Sequence, residues 1–188
     1  MKRILIGLLF SFAATSFAAP KTYQLDPSHT FVQYEIKHFG YSYQSGKWPA
    51  EGTLILDEEK PENSKVDATI KISSLVSGID KLNEHLEGKD FFDIANYPIA
   101  TFKSDKVVVT GKDTANVTGT LDLHGIKKSV TLQVKLNKLG TNPMTNKMTA
   151  GFAADTQINR ADFGMNAFPQ ALGNEVKLII SAEANLAQ

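Results

Sequence analysis

Strict period-two alternation is the property of this sequence that most narrows its fold. Val66, Ala68, Ile70 and Ile72 alternate with Lys65, Asp67, Thr69, Lys71 and Ser73. Val130, Leu132, Val134 and Leu136 alternate with Thr131, Gln133, Lys135 and Asn137, and Val176 to Leu186 repeats the pattern. Each run turns one apolar face to a core and one polar face to water, as a half-buried strand does. Weaker versions cover 23–37, 44–56, 100–110, 116–123 and 147–158, so about eight strands are predicted. Turn-forming stretches at 59–64, 111–114 and 140–146 separate them.

Eight antiparallel strands with one apolar face each pack as a sandwich or close into a barrel. Closure removes exposed edges, and a barrel of this size either fills with side chains or holds one small ligand. The pattern favours the barrel. One segment departs from the rhythm. Ser77-Gly78-Ile79-Asp80 reads as a capping box with Ser77 as N-cap, and Ile79, Leu82 and Leu86 recur at helical spacing before Gly88. A helix near residues 79–87 is predicted, short enough to need docking onto the β core.

Residues 1–18 have the layout of a secretory signal: Lys2 and Arg3, an apolar run from Ile4 to Ala14, then Ser16 and Ala18 at the −3 and −1 positions. The apolar run falls short of the roughly 20 residues that span a bilayer. Cleavage after Ala18 is expected, leaving a single domain over 19–188 with no stable membrane insertion. That product has 18 basic against 20 acidic residues, which provides no footprint for nucleic acid. The absence of cysteine excludes disulfides, thiol chemistry and thiolate metal sites.

No nucleophile elbow, zinc-protease helix motif or phosphate-binding loop is present. No catalytic residue, metal ligand or cofactor is assigned. His29 and His38 are nine residues apart, so on one regular strand they face opposite sides. His85 follows Leu82 beside the apolar side of the helix, and His124 sits where a strand meets a tight turn. Asp26-Pro27-Ser28-His29 reads as a turn leading into a strand. Arg160, between Asn159 and Asp162, either anchors an anionic head group or bonds within the chain, to Asp162 or to backbone, and the second reading is favoured. Aromatic residues gather at Phe31–Trp48 and again at Phe91–Phe102, as a filled core or a cavity lining would require.

Taken in order, these motifs resemble the YceI-like family of lipocalin-like, polyisoprenoid-binding periplasmic proteins. The matching stretches are Leu25-Asp26-Pro27-Ser28-His29-Thr30, Ile36-Lys37-His38, Leu82-Asn83-Glu84-His85-Leu86 and Asp90-Phe91-Phe92-Asp93. They continue with Tyr97-Pro98-Ile99-Ala100-Thr101-Phe102-Lys103-Ser104, the run from Gly119 to Lys128, and Ile158-Asn159-Arg160-Ala161-Asp162-Phe163-Gly164. Trp48 is a departure, at a position where Phe is the more usual residue. The resemblance implies an all-β, eight-stranded antiparallel lipocalin-like barrel with a short helix over one side. It also implies a periplasmic, non-enzymatic role, holding an isoprenoid or other lipid-like molecule inside the barrel, as a monomer or a homodimer.

The expected cavity lining is Phe31, Tyr34, Ile36, Phe39, Trp48, Leu82, Leu86, Phe91, Phe92 and Phe102, with His38, His85 and Arg160 as polar anchors. Two rivals remain. A lipid-modifying enzyme would pair His85 or His29 with Glu84, Asp26 or Asp162 inside a pocket. A filled barrel would instead dock a membrane electron carrier through its outer surface.

Overall fold

In the computed structural model, which describes residues 19–187, the alternating runs become ten strand segments. These are β1 (Lys21–Leu25), β2 (Phe31–His38), β3 (Ser42–Pro49), β4 (Glu51–Leu56), β5 (Lys65–Lys71), β6 (Ile99–Gly111), β7 (Thr114–Leu123), β8 (Ile126–Thr141), β9 (Met148–Asn159) and β10 (Leu172–Leu186). The signal-sequence reading falls on residues 1–18, outside the described residues. Among the described residues no helix is long and apolar enough to cross a membrane.

The segments form eight staves. β1 and β2 both pair antiparallel with β10, so they act as one long strand with a break at residues 26–30. β3 and β4 pair with β2 and β1 in the same way and are one strand broken at Ala50. Counting each pair once, the order β1-β4-β5-β6-β7-β8-β9-β10 returns to β1 and closes an eight-stranded antiparallel barrel.

The breaks have local causes. Asp26 accepts from the Ser28 amide through its side chain at 2.9 Å and from the His29 amide through its carbonyl at 3.0 Å, a turn that Pro27 favours. Thr30 then restores the ladder: its hydroxyl donates to the Glu183 carbonyl at 3.0 Å and lies 3.2 Å from the Glu183 amide, whose proton it accepts. The stretches expected as strands over 23–37 and 44–56 are therefore each bent in two, the first at the turn expected from Asp26-Pro27-Ser28-His29.

The predicted helix forms as α1 (Asp80–Glu87), two turns long. Its N-cap is Ile79 and not Ser77. Ser77 instead accepts from the Ile79 amide and donates to Asn83, while Asn83 also accepts from the Ser77 amide. The helix begins two residues later than that capping box places it, which displaces Ser77 from the cap, and Asn83, not Asp80, completes the reciprocal bracket.

Two apolar clusters share the bore. One, around Tyr34, Trp48, Leu121, Ile158 and Phe163, lies toward the α1 end. The other, around Tyr23, Leu54, Ala150 and Ala184, lies toward the opposite end. Neither fills the barrel.

Candidate functional site

Period two delivers one side chain in two to the barrel interior, and at the α1 end these side chains surround a cavity of about 510 Å³. Tyr34 and Ile36 from β2, Trp48 from β3, Ala100 from β6, Leu121 from β7, Ile158 from β9 and Leu178 from β10 form its wall. Ile79, Leu82, His85 and Leu86 on and beside α1, with Phe91 and Phe92, cover one side.

Trp48 is the most constrained of these side chains. Its indole N–H donates to the Ile72 carbonyl at 2.9 Å, and its ring lies 5.3 Å from Tyr34 and 5.5 Å edge-on to Phe92. A Phe at this position would keep the packing and leave the Ile72 carbonyl without that donor. Burial pushes the Tyr34 hydroxyl above its ordinary pKa.

At the mouth, Phe39 and Phe168 are about half exposed, and Phe168 stacks on Phe91 at 6.0 Å and 18°. His85 packs edge-on to Phe91 at 5.0 Å, and His38 packs against Phe39 at 4.8 Å. Among the described residues, apart from the Tyr34 and Trp48 rings, polar side chains reach the cavity only from His38, Gln44, His85 and Arg160.

Arg160 makes no ion pair with Asp162. Its guanidinium donates to three backbone carbonyls, Gly173 at 2.9 Å, Met165 at 2.8 Å and Leu172 at 3.4 Å. It thereby staples the turn after β9 to the start of β10. It is 6% exposed, and this burial lowers its pKa from the ordinary arginine value. A guanidinium with three neutral acceptors keeps its charge and still faces the cavity.

Two expected lining residues lie elsewhere. Phe31 is on the outer face, beneath the Lys47 ammonium at 4.3 Å from the ring centroid. Its odd number against Tyr34 and Ile36 puts it on the other side of β2, so alternation excludes it. Phe102 faces the interior but lines no cavity wall at this end. Phe168, Gln44 and Met165 are lining residues that the sequence did not single out. They sit outside the strong alternation, on the irregular stretch before β10 and on the weakly patterned β3.

A second interior cavity, of about 410 Å³, occupies the opposite end. Val66, Val107, Val117, Leu132, Phe152 and Ile180 line it, with Asp57, Lys65, Lys112 and Asp113 around its opening. A barrel with open space at both ends is not the filled barrel of the electron-carrier rival.

The enzyme rival needs a histidine and a carboxylate meeting in a pocket. His29 does donate to Asp26 at 2.8 Å, but the pair lies in the exposed β1–β2 turn and lines neither cavity. Its hydrogen bond holds the Asp26 carboxyl below its ordinary pKa and raises that of His29. His124 Nδ1 donates to the Phe163 carbonyl at 2.9 Å, and its ring lies 4.5 Å from Tyr97. No group of three or more metal-ligating side chains occurs among the described residues.

The chain is similar to protein YceI of Escherichia coli O17:K52:H18, with 39% identity over 189 residues covering 97% of each chain. The crystal structure of Burkholderia cenocepacia BcnA matches with a TM-score of 0.77 at 24% identity, over 85% of this chain and 98% of that one. A polyisoprenoid binding domain from Saccharophagus degradans, implicated in plant cell wall breakdown, matches with a TM-score of 0.68 at 16% identity, over 88% and 98%. The YceI-like domain model matches residues 23–184, nearly the whole barrel, and the chain belongs to the YceI-like family.

Proposed function

We propose that this protein is an exported carrier that holds one long apolar or amphiphilic molecule, of polyisoprenoid or isoprenoid-quinone type, inside the barrel for storage or transport in the periplasm. The observation that carries the proposal is the cavity at the α1 end. Its wall is apolar, its volume suits a small-molecule site, and its few polar side chains include His38, Gln44 and His85 toward the mouth. Such a site takes up an apolar tail and leaves a polar head near water.

Apolar burial supplies the driving force. A tail burying roughly 400 Å² gains about 10 kcal/mol gross at 25 cal/mol per Å², before ordering costs. The polyisoprenoid-binding domain of S. degradans has the same fold and supports this ligand class. His38, His85 and Arg160 are the side chains in position to meet a head group, although the first duty of Arg160 is to the backbone.

The test is native mass spectrometry of protein purified gently from its own host, followed by solvent extraction. A lipid-sized adduct is expected, and a clean mass of the polypeptide alone counts against the proposal. Export has its own test: the N-terminus of protein recovered from the periplasmic fraction should be Ala19.

A further inference from the structure

The cavity at the α1 end opens through a rim that is itself apolar. Phe39, Ile79 and Phe168 all line the cavity, and each has half or more of its surface in water. The exposed aromatic surface continues past Phe39 along the β2–β3 turn. There Tyr41 is 94% exposed and Tyr43 68%, and neither lines the cavity. Large apolar groups gathered at the surface beside a mouth mark a place where something binds.

The backbone holds two of these rings outward at a cost. Phe39 and Phe168 have φ of 49° and 52°, in the left-handed region that bulky side chains avoid. The Phe39 amide donates to the Ala171 carbonyl at 2.6 Å, and the Ala171 and Leu172 amides donate to the Phe168 carbonyl at 3.0 Å. The β2–β3 turn and the stretch before β10 are thereby fixed to each other. Strain of this kind persists where the surrounding structure imposes it, and it gathers at sites of function.

Charge divides the rim into two sides. Residues 36–50 and 164–174 contain no Asp or Glu. Lys37, beside the turn, is exposed and has no ion pair among the described residues. On and after α1, by contrast, Asp80, Glu84 and Asp90 are exposed. The carboxylate-free side can approach lipid phosphates without desolvating a like charge, and the α1 side cannot. Tyr and Phe also suit the headgroup level, where a ring meets hydrocarbon and a hydroxyl stays wet.

We infer that the turn at 39–43 and the stretch around Phe168 form a face that docks on a phospholipid bilayer. Tyr41 and Tyr43 enter the headgroup layer, and the cavity mouth opens beside them. The contact is interfacial and reversible, and the partner is the lipid surface itself. Its use rests on the carrier reading: the cargo passes between bilayer and cavity along an aromatic rim without crossing open water.

The experiment floats the mature protein with protein-free vesicles of phosphatidylcholine and a minor share of phosphatidylglycerol. Wild type should float, and Tyr41→Ser/Tyr43→Ser should need about tenfold more lipid. Both tyrosines are exposed, so the double variant should unfold in urea where wild type does. Lys37→Glu should float less than wild type, whereas Lys81→Glu, on the α1 side, should float equally. Trp48 is the only tryptophan in the chain and lines the cavity, so its fluorescence reports occupancy. Farnesol added without vesicles should bind the double variant as it binds wild type. Uptake of geranylgeraniol from loaded vesicles should be about tenfold slower in the double variant.

Equal flotation of wild type and double variant overturns the docking face and leaves the carrier reading standing. So does binding to host membranes that carry their proteins without binding to the vesicles, since the partner is then a protein. Flotation that depends on the tyrosines, with no farnesol bound by either protein, supports the face and removes the carrier reading.

Discussion

Two residues that look reactive in the sequence do structural work, and their chemistry says how each fails when changed. Arg160 is buried and bonded to three carbonyls, that of Met165 in the turn after β9 and those of Leu172 and Gly173 at the start of β10. Replacing it with alanine strands those acceptors and opens a hole, so unfolding in urea should show a loss of about 3 kcal/mol. Lysine should recover little, because a point ammonium cannot span three acceptors held in a fork. Fluorescence of Trp48 follows the same transition.

The Asp26–His29 pair makes a pH prediction. The raised His29 pKa means that its contribution is complete below the ordinary 6.5 and disappears as pH rises through the higher folded value. The lowered Asp26 pKa means that its contribution is complete above the ordinary 3.8 and disappears as pH falls through the lower folded value. The pair therefore stabilises most between these two limits. His29→Gln keeps the Asp26–Ser28 turn bond, so the stability difference from wild type should peak near pH 5 and shrink at pH 9 and at pH 2. Both partners face solvent, so added salt should reduce the effect.

At the scale of the element, alternation was legible because each strand has one wet face and one dry face. Phe31 shows the rule applied too loosely: its aromatic character suggested the cavity, and its parity with Tyr34 decides otherwise. The break in the first stave was legible as the turn at Asp26–His29, and the one at Ala50 was not. A bend needs a long-range partner to repair the ladder, and that partner, Glu183, is 153 residues from Thr30. The cap of α1 was misread for a related reason: the first polar residue in the motif is not the first residue with a free amide to satisfy. Phe168 and Met165 were invisible because irregular backbone carries no period. Thr30 is 2% exposed, and Thr30→Val keeps its shape while removing the hydroxyl that serves the Glu183 amide. It should cost about 2 kcal/mol in denaturant unfolding, and Thr30→Ser should cost less than half of that.

At the scale of the whole molecule, the barrel is not equally sealed around its girth. From β5 through β10 the wall is a continuous ladder, and at the far end β4 ties β1 to β5. At the α1 end, among the described residues, β3 meets the chain leading to the helix through a single backbone bridge, beside the Trp48–Ile72 hydrogen bond. The Lys47 amide donates to the Val76 carbonyl at 3.0 Å, and the Val76 amide donates back at 2.9 Å. Val76, in the bridge, and Ile79 beyond it are more than half exposed, so the bridge is little covered from solvent, although Ile72, Leu75 and Trp48 behind it are buried. Local opening should follow the weakest set of contacts. Under native conditions, amide exchange at Lys47 and Val76 should therefore be faster by at least about tenfold than at Val130 or Ile180 in the central ladders. A ligand that bridges the β2–β3 wall and α1 through Tyr34, Trp48 and Leu82 stabilises only the closed seam, so its binding should slow exchange at Lys47 and Val76 and leave Val130 unchanged. Uniform slowing across all four amides would mean that the ligand stabilises the barrel as a whole and that the seam is not its way in.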